Sequence, residues 1–329
     1  MKKILKCLSI TALLMNMFEI SNLKNNSIKL VNAEEIFYTN LNNVSMTKEE
    51  YQKLSEFGFV DLEIEHMTYE QFEEIQEMKI ISKLYGDTNE SSASTFSMNP
   101  NPDVYAYEHN RYYTLRGTYY EDYNGQEAYF IKVDVSYTSN PDDWMTDILA
   151  ITMESNVMPM PVSETTINIF GTFSYNEIIY EECDQLDYYQ EIETINHYYS
   201  YSSVNTSKYR YYPDSSVAMK FELPKPKRNS SREEIVDEKK YTIDNNSKYS
   251  NIYMSMYCYF VPEVSNVINT SFTGAHIHQC ISFDISWSGI SIIPQFPFIR
   301  ASVDITVNEE VEVIYRNLYY STNITYPNC

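Results

Sequence analysis

The sequence predicts an α+β fold that is mainly β: a small N-terminal three-helix module followed by an antiparallel β-sandwich. Three observations predict it. Residues 46–86 carry apolar side chains at helical spacing behind two capping boxes, whereas from Tyr105 onward apolar and polar residues alternate at the period of a strand. Asn124-Gly125 stands between two such alternating runs, the strongest short hairpin signal. No long helical pattern separates the strands, which argues against alternating βαβ units.

At the N-terminus, Lys2 and Lys3 precede an apolar run from Ile4 to Phe18, broken by Lys6, and Val31-Asn32-Ala33 precedes Glu34-Glu35. This is the layout of a cleaved secretory signal over 1–33. The run is shorter than the ~20 apolar residues that span a bilayer, so an uncleaved anchor is the lesser alternative. The expected location is therefore secreted, extracellular or at the cell surface.

Residues 34–86 form the expected helical module. Thr47-x-x-Glu50 opens a helix carrying Tyr51, Leu54 and Phe57, and Gly58 stands where a helix end needs positive φ. A second short helix near Val60–His66 turns Leu62 and Ile64 inward. Thr68-x-x-Gln71 opens a third, with Phe72, Ile75 and Met78. So short a segment buries little core and is expected to lean on the rest of the chain. Residues 87–104 are polar, contain Pro100 and Pro102, and read as a linker.

Residues 105–329 read as the sandwich. Tyr112–Tyr120 and Ala128–Tyr137 flank the Asn-Gly turn, the latter placing Tyr129, Ile131, Val133, Val135 and Tyr137 on one face. Thr146–Met153 suits a strand buried on both sides. Further alternating sets are Ile167 to Tyr175, Val217 to Leu223, Ile252 to Phe260, and Val303 to Tyr315. Lys225–Lys240 is dense in charge and reads as an exposed excursion. Ala275–Trp287 reads as a strand with Ile277, Ile281, Phe283, Ile285 and Trp287 on its buried face and His276, His278 and Cys280 on its polar face.

Charge narrows the partners. The chain holds 24 Lys+Arg against 46 Asp+Glu, a net charge of −22, which opposes binding to nucleic acid or anionic lipid. No Ca²⁺ loop motif accompanies the acids. Beyond the leader the cysteines are Cys183, Cys258, Cys280 and Cys329, an even count compatible with two disulfides in any of three pairings. His276 and His278, two apart on a strand, point the same way and are candidate metal ligands. Against that stands the ordinary reading of histidines on a half-polar strand face.

No nucleophile elbow, H-E-x-x-H or Cys/His protease signature occurs, and the seven glycines form no phosphate-cradling loop. No cofactor is expected. Most of the 32 tyrosines suit half-buried strand positions. Tyr198, Tyr199, Tyr201, Tyr209, Tyr211 and Tyr212 stand apart, because their Ser-rich surroundings point to an exposed ligand-binding cluster. The same stretch superficially suits a hairpin that refolds into a membrane barrel.

The segment TKEEYQKLSEFGFVDLEIEHMTYEQFEEI resembles the N-terminal part of a set of secreted Gram-positive bacterial proteins of unknown function. The matching positions are Glu50, Tyr51, Leu54, Phe57, Gly58, Phe59, Glu63, Ile64, Met67 and Phe72, with weaker landmarks at Trp144-x-x-Asp147-Ile148-x-x-Ile151 and Gly274-x-His276. The resemblance implies an exported protein with a β-rich body and carries over no catalytic residue. The expected role is non-enzymatic binding of an extracellular glycan or protein. A secreted hydrolase with an unidentified site and a β-hairpin pore former are the alternatives, the membrane being a partner only in the last.

Overall fold

The computed structural model describes residues 36–86, 104–108, 110–141, 146–160, 167–183, 188–202, 208–212, 216–225, 228–236, 239–263, 269–279 and 311–321. The expected leader over 1–33, the body of the expected linker and the strand positions from Cys280 to Trp287 lie outside them.

The chain is mostly β, with few helices and open, antiparallel sheets. Two strands, β1 (Tyr38–Thr39) and β2 (Ser45–Met46), precede the helices α1 (Lys48–Glu56), α2 (Asp61–His66) and α3 (Tyr69–Glu77). The first large sheet runs β11 (Tyr188–Ser202), β10 (Ile169–Cys183), β15 (Lys239–Pro262), β7 (Glu127–Tyr137), β6 (Arg111–Glu121) and β3 (Lys79–Lys83). Onto it pair β5 (Val104–Glu108), β9 (Val157–Pro159) and β14 (Arg228–Val236). The second runs β12 (Tyr209–Tyr212), β13 (Ser216–Glu222), β8 (Thr146–Met153), β16 (Asn269–Gln279), β17 (Val311–Ser321) and β4 (Tyr85–Gly86).

Local chemistry sets the helix starts. The Thr47 hydroxyl accepts the Glu50 amide while the Glu50 carboxylate accepts the Thr47 amide, and Thr68 and Gln71 do the same for α3. Gly58 follows α1 at φ 89°, a conformation that strains any residue with a Cβ. In the β6–β7 hairpin, Gly125 takes φ 78° and Asp122 Oδ1 accepts the amides of Asn124 and Gln126 at 2.8 Å.

Two apolar clusters hold the chain. One lies between the sheets: Leu115, Ile131, Val133, Met254 and Met256 of the first belong to the same cluster as Leu149, Ile151, Met219, Phe272 and Ile314 of the second. The other lies on the opposite face of the first sheet. There Leu54, Phe57, Phe59, Ile64, Phe72 and Ile75 of the helical segment cover Phe130, Tyr257 and Tyr259. Strands β7 and β15 are therefore buried on both faces. The helical segment is also tied in by hydrogen bonding, since β3 pairs with β6 and β4 with β17.

Strand β15 is the hub. It spans 24 residues and pairs with β10, β14, β7 and β9. Asn251 takes φ 52° where the β10 register shifts between Ser174 and Asn176, a bulge that kinks the strand. Before the kink, β15 pairs with β10 and β14 in a ribbon whose outer strands β11 and β14 expose Tyr189, Ile192 and Ile235. After it, β15 runs through the core.

Two expectations are corrected. Lys225–Lys240 is not a free excursion: most of it is β14, hydrogen-bonded to β15 from Arg228 to Val236. Its charges do not prevent pairing because strands at a sheet edge tolerate them. The histidine strand is buried on both faces: Ile277 is buried as expected, but so are His276 and His278. In β16 it is Phe272, Gly274, His276 and His278 that share a side, and a Cβ on Gly274 would meet Tyr113, Leu115 and Val133 of the first sheet. The histidines face the interior because a buried carboxylate there accepts from both.

Candidate functional site

The tyrosine cluster divides by face. In β11, Tyr199 lies opposite Phe173 and Tyr201 opposite Gly171, so both share the inward side of β10. In β12, Tyr209 lies opposite Met219 and Tyr211 opposite Val217, which places them on the inward side of β13. The strands β11 and β12 end the orders of the two sheets on the same flank, and the Tyr201 ring meets Phe221 of β13 edge-on at 5.9 Å. Tyr199, Tyr201, Tyr209 and Tyr211 thus line one flank of the inter-sheet core. Tyr198 points the other way and stacks on His66 of α2 at 3.8 Å. Tyr212 is in β12, with its side chain outside the described residues.

A row of nearly parallel rings continues from Tyr199. It stacks on Phe173 at 6.2 Å and lies 12° from the plane of His197, which itself stacks on Tyr175 at 4.5 Å. His197 Nε2 is 2.9 Å from Glu177 Oε2, fixing that ring. Tyr199 remains 42% exposed, so the row ends on an aromatic face open to solvent.

A second constellation was not legible as a unit in the sequence. Asp147 of β8 lies directly opposite His278 of β16 and is completely buried. His278 Nδ1 lies 2.6 Å from Asp147 Oδ1, His276 Nε2 lies 2.8 Å from Oδ2, and the Tyr137 hydroxyl donates to Oδ2 at 2.7 Å. Arg111, opposite Tyr137 on β6, places its guanidinium 5.9 Å from the Tyr137 ring centre. Burial alone would raise the Asp147 carboxyl, but the charges and hydrogen bonds of His276 and His278 hold it well below the usual range. Burial lowers His276 and outweighs the pull of Asp147 upon it. Burial, then the Asp147 charge, raises the Tyr137 phenol. At neutral pH, above the lowered value of His276, that imidazole is neutral and donates from Nε2 to an ionised Asp147, which also accepts from the neutral Tyr137. His276 Nδ1 then carries a bare lone pair, and it has no hydrogen-bond partner among the described residues.

The two histidines proposed as metal ligands thus meet at one carboxylate. Each directs one ring nitrogen at Asp147 in a direct hydrogen bond. Among the described residues no group of three His, Cys, Asp or Glu side chains is arranged to hold a metal. The disulfide reading is corrected for Cys258, a free thiol buried in the inter-sheet core with Sγ 3.5 Å from the Tyr259 carbonyl. Burial pushes that thiol well above its ordinary value. Cys183 ends β10 with its side chain outside the described residues, where Cys280 and Cys329 also lie.

Beside Tyr137 runs a groove of about 600 Å³ lined by Val60, Leu62, Ser136, Tyr137, Ile252 and Tyr253. Tyr137 thus belongs both to the groove wall and to the Asp147 cluster. Among the described residues no helix is long and apolar enough to cross a membrane. No protein-family model matches the chain, and no curated protein matches it.

Proposed function

We propose that this chain is an exported, non-enzymatic binding protein acting outside the cell or at its surface, and that it recognises its ligand through the tyrosine-lined flank. In this reading the two large sheets form a sandwich and the three helices form a module seated on its outer face. One observation carries the proposal: Tyr199 and Tyr201 from one sheet and Tyr209 and Tyr211 from the other converge on one flank. Tyrosine offers a broad apolar face with a hydroxyl at its rim and loses little entropy on binding. The exposed face of Tyr199, backed by parallel rings, suits stacking against a sugar ring, so an extracellular glycan is the favoured ligand.

The test is an array of glycans and extracellular proteins probed with the chain lacking residues 1–33. Glycan binding that weakens at least tenfold in Tyr199→Ala, with an unchanged unfolding midpoint, supports the reading. Binding that survives this variant and Tyr209→Ala together overturns the site.

A hydrolase is favoured by a different observation, the bare Nδ1 of a neutral imidazole oriented by a carboxylate. A substrate screen that finds turnover abolished by His276→Gln would replace the binding reading. Both readings rest on export and on the resemblance to secreted Gram-positive proteins, and protease accessibility on intact cells tests that premise.

A further inference from the structure

Lys132 lies in the middle of β7 on the face covered by the helical segment, with its side chain wholly buried. Three other charged groups meet it there. Its Nζ is 3.0 Å from Glu63 Oε2 of α2 and in contact with Asp134 Oδ1. Arg116 Nη1 is 3.2 Å from Asp134 Oδ2, and the Tyr253 hydroxyl donates to Asp134 Oδ1 at 3.0 Å. The rings of Phe59 and Tyr253 stand 6.0 and 5.9 Å from Nζ. Glu63 is held differently. The Ser255 hydroxyl donates to its Oε1 at 2.5 Å and the Val60 amide to its Oε2 at 3.1 Å, both neutral donors.

The two carboxyl groups therefore have different roles open to them. Asp134 is paired with the Arg116 guanidinium through Oδ2 and turns Oδ1 to the Lys132 nitrogen, where it can pass a proton. Glu63 has no second cation beside it in this network, and its two neutral donors point at both carboxyl oxygens, where charge builds when a nucleophile adds to the carbon. An ammonium and a carboxylate kept out of water carry a desolvation cost that a neutral amide does not. The arrangement holds Nζ 3.0 Å from a Glu63 carboxyl oxygen, so the two groups meet without a separate encounter.

We infer that Lys132 and Glu63 are joined by an intramolecular amide. One Lys132 proton passes to Asp134, the Nζ lone pair adds to Glu63 Cδ, and a Nζ–Cδ bond forms. The Cδ–O bond then breaks, and the departing oxygen leaves as water with the proton returned by Asp134 and a second proton from Nζ. Nothing is oxidised or reduced, no co-reactant is required, and the buried Asp134–Arg116 pair remains. The product fastens α2 covalently to the centre of the first sheet.

Peptide mapping of the full secreted chain by mass spectrometry tests this. The expected result is one species joining the Glu63 and Lys132 peptides, lighter by one water than their sum, with no tryptic cut after Lys132. Glu63→Gln loses ammonia instead of water and gives the same product. Lys132→Arg gives both peptides unlinked at full mass. Wild-type protein with free Lys132 and Glu63 peptides overturns the inference, and so does an amide from Lys132 to Asp134. The wild-type map decides the matter even where a variant fails to fold.

Discussion

Replacing Gly274 by Ala tests the facing of the two sheets directly. The residue sits in β16 opposite Ile151, and its backbone is not in the left-handed region. A Cβ there would lie 2.3 Å from Tyr113 Oη, 2.7 Å from Leu115 Cδ1 and 3.0 Å from Val133 Cγ2. Ordinary contacts begin near 3.4 Å, so Tyr113 must retreat by about 1 Å. It has no room to do so, because its side chain is fully buried among the same residues. Forcing a methyl into such a core costs about 1–3 kcal/mol. On an open strand the same change would stabilise by about 0.5–1 kcal/mol, since alanine loses less backbone entropy than glycine. The two situations thus differ in sign. We expect a net loss of about 1–2 kcal/mol, read as a lower urea midpoint with an unchanged slope. A variant equal to or more stable than the parent would refute the close apposition of β16 with β6 and β7.

Acidification should destabilise the protein through His276. Its folded-state value is depressed by burial, so below the ordinary value of about 6.5 the unfolded chain binds more protons than the folded one. The contribution is full above the ordinary value of about 6.5 and is lost as pH falls below it; urea midpoints should decline on acidification, and His276→Gln should flatten the decline. Asp147, depressed in the folded state, adds a further loss only below about pH 4. Cys258 should resist iodoacetamide in the native protein and react once unfolded, with native labelling faster than unfolding counting against its burial. Tyr201→Ala should lower stability by about 2–4 kcal/mol because its ring packs on Phe221, whereas exposed Tyr199→Ala should cost under about 1 kcal/mol and act on ligand binding alone. Dye-loaded anionic liposomes should stay sealed at micromolar protein, and leakage would revive the pore-forming alternative.

Much of the fold was legible because its determinants are local. The capping boxes at Thr47 and Thr68 and the Asn124-Gly125 turn act within a few residues, and each is realised as its spacing predicts. The alternation from Tyr129 to Tyr137 found the inter-sheet face of β7 for the same reason. What failed depends on distant partners. Lys132 and Asp134 occupy the positions of a solvent face, yet helices contributed by residues 48–77 cover them. Asp147 stands out in the sequence only as a landmark of the resemblance and not as a site residue, because its two imidazoles arrive from β16, far along the chain. His276 and His278 mark a polar strand face, and polarity does not tell a wet face from a buried one supplied with acceptors. The tyrosine cluster was half visible. Composition singled out the right residues, but only the pairing of β11 with β10 and of β12 with β13 separates Tyr198 from the four that share a flank.

Strand β15 is common to the exposed ribbon and to the buried body, so the two are mechanically one piece. Tension applied to the ribbon, as by a ligand fixed to a surface under flow, would run along β15 past the Asn251 kink into its pairing with β7. That pairing covers eight successive residues from Tyr253 to Phe260, and a pull along the strand loads its hydrogen bonds together rather than peeling them one at a time. Within the described residues the long strand would thus pass a pull on the ribbon straight into the sheet, with its bend at Asn251.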